Sequence, residues 1–113
     1  MANIVGLFPD GGILEVTVSP SGDDQLTEVE FDPRARSLVF QTTAQLRLQG
    51  KLFGDQVVGS AVDLTQSLIV RGGGNNRLSV RGWPGGVSKV YLSGPQGAKC
   101  AVAVFPAIFG AGN

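Results

Sequence analysis

Apolar and polar residues alternate with a period of two along most of the chain. In residues 13–19, ILEVTVS, Leu14, Val16 and Val18 alternate with Glu15, Thr17 and Ser19. In residues 27–32, TEVEFD, Val29 and Phe31 alternate with Glu28 and Glu30. The run 37–49, SLVFQTTAQLRLQ, puts Leu38, Phe40, Thr42, Ala44, Leu46 and Leu48 on one side, and Gln41, Thr43, Gln45, Arg47 and Gln49 on the other. Such alternation belongs to β-strands with one buried and one wet face. A helix needs apolar residues three and four apart, and no window supplies them.

Further strands are predicted at 56–64, 67–71, 77–81, 87–92 and 98–105. The last of these, AKCAVAVF, is apolar in both phases over 101–104, the pattern of a strand covered on both faces. Turn-forming clusters lie between the strands: SPSGDD (19–24), DPRAR (32–36), GKLFGD (50–55), GGGNN (72–76), GWPGG (82–86) and SGPQG (93–97). Seven or eight short strands spaced this way predict one all-β domain over residues 1–113, a sandwich or jelly-roll-like barrel. GGGNN reads as the tip of a β-hairpin that carries Arg71, Arg77 and Arg81 on its wet face.

Composition supports a folded chain. Of 113 residues, 42% are hydrophobic and 16% charged, below the usual charged share of about 25%. Net charge is zero, but its distribution is uneven: residues 1–32 hold seven acids and no base, and residues 33–113 hold nine bases with Asp55 and Asp63. Two arrangements satisfy this split. The halves neutralise each other within one fold, or they meet head to tail between copies. The ends of the chain, about 1–9 and 105–113, are apolar without clean periodicity. Phe8, Phe105, Ile108 and Phe109 therefore need a surface, either the core of their own domain or a neighbouring protein.

Several chemistries are excluded by residue type. The chain has no histidine and one cysteine, Cys100, so no Ser–His–Asp triad, Cys–His pair, internal disulfide or Cys/His zinc site exists. Neither GGGNN nor GPQGAKC (94–100) opens a helix, and neither carries the Lys–Ser/Thr pair that a phosphate loop requires. No cofactor or metal is expected. The acids of residues 10–32 sit at strand exteriors and turns, where hydration accounts for them, so an enzyme is not expected. Arginines beside Trp83 and Tyr91 suit a single-stranded nucleic acid, and Trp83 suits a sugar ring. A pI near 6.1 disfavours nucleic acid. No run of 18 apolar residues and no basic leader is present, so neither a membrane span nor secretion is expected.

A compact, weakly charged, glycine-rich β module with apolar ends resembles the small decoration, or cement, proteins of bacteriophage capsids. The resemblance lies in size and composition over the whole chain, with no diagnostic motif. It implies a non-enzymatic structural protein, made in a host cytoplasm and carried on the virion surface. It also implies a homo-oligomer, a trimer above all, seated on a capsid shell. The interface residues expected on this reading are Phe8, Phe105, Ile108, Phe109, Arg71, Arg77, Arg81 and Trp83. The alternative is a small β-barrel module that binds carbohydrate or single-stranded nucleic acid.

Overall fold

The computed structural model describes residues 2–7, 12–52, 56–79 and 86–106. They form nine strands and no helix: β1 (Ala2–Leu7), β2 (Gly12–Val18), β3 (Thr27–Thr42), β4 (Leu46–Leu52), β5 (Val57–Gly59), β6 (Leu68–Val70), β7 (Asn76–Ser79), β8 (Val87–Ser93) and β9 (Ala98–Pro106). The strands join one nearly closed, barrel-like sheet, as the period of two predicts. Its main path runs β2-β9-β3-β8-β4-β5, with β1 and β7 also paired to β3 and β6 to β4.

The 16-residue β3 belongs to two layers. Its first part pairs with β1, in parallel, and with β8. Its last part pairs with β9 and β7. One layer is therefore β1, β3, β8 and β4, with β5 and β6 sharing the far side of β4. The other is β2, β9, β3 and β7. The core lies between them, with Val29, Phe31, Leu46, Leu48, Val90 and Leu92 from the first layer. Val16, Val18, Leu38, Phe40, Val102 and Val104 come from the second.

One bulge lets β3 serve both layers, and a second shapes β8 against β4. On β3, Ala35 pairs with Pro106 and Ser37 with Phe105, so Arg36 is an inserted residue. The insertion switches the inward phase from Val29, Phe31 and Ala35 to Leu38 and Phe40. On β8, Val87 pairs with Leu52 and Lys89 with Lys51, which makes Ser88 the inserted residue. The Ser88 hydroxyl donates to the Lys51 carbonyl at 3.2 Å.

Some local expectations are corrected. DPRAR is no turn: β3 runs through it, and Pro33 sits where pairing to β8 is interrupted, so its missing N–H costs no bond to β8. The run 37–49 is two strands, because Thr42 turns the chain by donating to the Ala44 carbonyl at 2.8 Å. The expected strand 56–64 stops at Gly59, whose φ is +72°. Beyond it, the Ser60 hydroxyl accepts the Val62 and Asp63 N–H groups and holds a loop. Strands β6 and β7 form no hairpin, since β6 pairs with β4 and β7 with β3. Asn76 secures the corner between them. Its amide oxygen accepts the Arg71 N–H at 3.0 Å and its NH2 donates to the Arg71 carbonyl at 2.9 Å. The apolar amino-terminal stretch supplies β1, whose Ile4 packs against the core.

Phe40 is fully buried, so Phe40→Ala is expected to cost about 3–5 kcal/mol in urea unfolding. Gly59→Ala is also expected to lower the urea midpoint. A Cβ at this left-handed position would lie 2.6 Å from Leu68 Cγ and 2.8 Å from the Leu48 carbonyl oxygen.

Candidate interaction surface

The outer face of the β2–β9–β3–β7 layer follows from the alternation. Residues between the buried Val16, Val18, Val102, Val104, Leu38 and Phe40 must point outward. Register places them in rows. One row is Ile13, Ala103, Val39 and Arg77, and the next is Glu15, Ala101 and Gln41. Phe105 and Ser37 flank the first row, and Thr17 and Lys99 pair beyond the second. Ile13 is 68% exposed and Phe105 46%, with the small Ala101 and Ala103 between the larger side chains. Apart from Ser37 and Arg77, this end of the face is apolar.

The other end is polar and forms an open groove of about 730 Å³. Glu15, Thr17, Gln41, Thr43 and Lys99 line it, Ala101 lies between them, and Gly73 and Gly74 make a wall. The Lys99 ammonium donates to the Thr17 hydroxyl at 2.8 Å, and the Gln41 amide to Asn75 Oδ1 at 2.7 Å. Gly73, at φ +78°, brings the wall in by donating its N–H to the Thr42 carbonyl at 3.0 Å. The donors and acceptors suit hydroxyl-rich or zwitterionic molecules, and among the described residues no aromatic side chain lines the groove.

On the opposite layer, charges are matched within the chain. The Lys89 ammonium contacts Glu28 at 2.9 Å and Glu30 at 3.3 Å. The Tyr91 hydroxyl donates to the same Glu28 oxygen at 3.2 Å. Hydrogen bonding to Glu28, then to Glu30, holds the Lys89 ammonium above its ordinary range. Burial, then the bond to Glu28, raises the Tyr91 hydroxyl. Two carboxylates sharing one ammonium on a strand face form a structural cluster. Among the described residues, no three Cys, Asp or Glu side chains converge as a metal site.

The expected interface residues fall in different places. Arg77 and Phe105 meet, with the guanidinium carbon 6.0 Å from the ring centroid. Arg71 is exposed at the corner after β6, whose neighbour is β4, so it does not share the β7 face. Phe8, Arg81, Trp83, Ile108 and Phe109 lie outside the described residues. A second apolar patch went unforeseen. Val57, Val62, Leu64, Leu68 and Ile69 are all exposed along β5, β6 and the loop between them. Its signal was present in QVVGSAVDL and SLIV, where both phases are apolar beside a turn cluster.

Cys100 points inward from β9 and is 2% exposed. Burial pushes its thiol up from 9.0 to about 11. The folded protein is expected to resist a thiol reagent at about pH 8 and to react once unfolded. The folded thiol keeps its proton more tightly than the unfolded one. Its contribution to stability is therefore complete below pH 9 and declines as pH rises toward about 11. Urea midpoints across that window are expected to fall less in Cys100→Ala than in the parent.

No family model matches the chain, and no curated protein or solved structure matches it, so the functional reading rests on the surface itself.

Proposed function

We propose that the protein is a non-enzymatic structural protein that associates with itself and seats on a larger protein surface, as capsid decoration proteins do. The observation that carries this reading is the apolar end of the outer β2–β9–β3–β7 face. There Ile13 and Phe105 stand exposed beside Ala101 and Ala103. Apolar area removed from water contributes about 25 cal/mol per Å², whereas an exposed ion pair contributes about 0–1 kcal/mol. Apolar contact would thus supply the attachment, and charge would supply orientation. The terminal residues Phe8, Ile108 and Phe109 would add area, and repeated seating on a shell would multiply weak contacts. On this reading the protein belongs on a virion surface.

Light scattering of the purified protein at low and high salt tests the proposal. The expected result is association that survives high salt, because buried apolar area is not screened. A mass of 11.7 kDa at every concentration would remove self-association from the reading.

The groove favours a second reading, a small ligand-binding module for hydroxyl-rich molecules. Calorimetry with neutral oligosaccharides would then give saturable heat that Gln41→Ala removes. Absence of heat at millimolar sugar would sink this alternative.

A further inference from the structure

We infer that the outer face of the β2–β9–β3–β7 layer is a two-fold interface between two copies of this chain. The inference rests on the self-association reading and replaces the trimer with a pair.

Three observations carry it. The first is the double-sided character of β9. Its inward residues Cys100, Val102 and Val104 are buried in the core. Its outward residues Ala101 and Ala103 keep part of their surface in solvent, although β9 sits between β2 and β3 in the middle of the layer. A central strand that is apolar on both faces calls for a cover on both. Within the described residues only one cover exists.

The second is shape. Ala101 and Ala103 leave a shallow trough along β9, with Ile13 on β2 and Val39 on β3 at its sides and Phe105 at its end. Two sheets pack about 10 Å apart when large and small side chains interleave. When the copy is turned over about an axis along the strands, its β3 lies over β9 and its Val39 faces the trough at Ala103.

The third is charge, and it selects the axis. Glu15 lies on β2 at one edge of the layer, and Arg77 on β7 at the other, one row apart. Neither forms an ion pair among the described residues. A two-fold axis parallel to the strands lays β2 of one copy over β7 of the other. Each Glu15 then comes within reach of the other copy's Arg77, twice per pair. An axis across the strands lays β2 over β2, bringing like charges together. Both arrangements are isologous, and only the first brings opposite charges together.

The interface is small. Four strands about 4.8 Å apart, with about five residues each, give a footprint on the order of 300 Å² per copy. Stable complexes bury roughly 800 Å² per partner. The pair is accordingly reversible, and its concentration dependence is the quantity to read.

Sedimentation velocity from micromolar to millimolar protein tests the inference. The expected limit is twice the 11.7 kDa chain mass. Ala103→Asp, which points outward, is expected to abolish the pair and leave the β circular dichroism and the melting curve intact. Glu15→Arg and Arg77→Glu are each expected to weaken pairing about three- to tenfold, and the double variant to restore it. A limit of three chain masses would overturn the two-fold interface and leave self-association standing. A monomer throughout would overturn both. A pair unaffected by Ala103→Asp, or single losses that the double variant fails to rescue, would place the contact elsewhere. A chain ending at Pro106 that pairs when the full chain does not would assign the face to residues 107–113 and overturn the inference.

Discussion

The structure depends on one residue inserted into one strand. β3 must pair with β1 and β8 in one layer and with β9 and β7 in the other, while its side chains face a single core from both. A regular strand cannot do this, because the layers lie on opposite sides of that core. Arg36 changes the phase, so Phe31 and Ala35 point inward before it and Leu38 and Phe40 after it. The Ser88 insertion does the same for β8 against β4, and its hydroxyl occupies the carbonyl left over. Both layers, and the outer face between Glu15 and Arg77, inherit their geometry from these two positions.

Much of this was legible in the sequence because burial selects side chains one at a time. Leu38, Phe40, Leu46 and Leu48 stand in the predicted phase and are all buried, even though a turn at 43–45 separates them. Partner choice was not legible. GGGNN between two apolar strands has the local grammar of a hairpin, yet the flanking strands bond to β4 and β3. The deciding group is the Asn76 side chain, which bridges Arg71 without a strand ladder. The bulges were hidden for a related reason. DPRAR carries proline and charge, which signal a turn, whereas a bulge is defined by the opposing strand.

Part of the charge split is met within the chain. Glu28 and Glu30 meet Lys89 inside the chain, and Asp23 accepts the Gln96 N–H at 2.8 Å. These acids are engaged by their own fold. Glu15 lies on the other layer, among outward residues that include Ile13 and Ala103, and it has a different environment. Acids close in sequence therefore have different work, decided by which layer each strand enters. The exposed Val62 and Leu64 show the same principle for apolar residues: loop geometry displays them although their types favour burial.

The position of β9 has a further consequence for how the chain acquires its shape. Residues 98–106 fill the place between β2 and β3, so one layer has an empty slot until they are available. The pairs Val16 with Cys100 and Leu14 with Val102 close loops of most of the chain. Contacts so distant in sequence make folding slow, since chain entropy is lost before the contact energy is gained. During synthesis β2 and β3 exist for some time with unsatisfied edges and bare apolar faces. A nascent chain at that stage is a receptor for any β-strand of the right pattern, and its own β9 is in competition with the β9 of its neighbours on the same message.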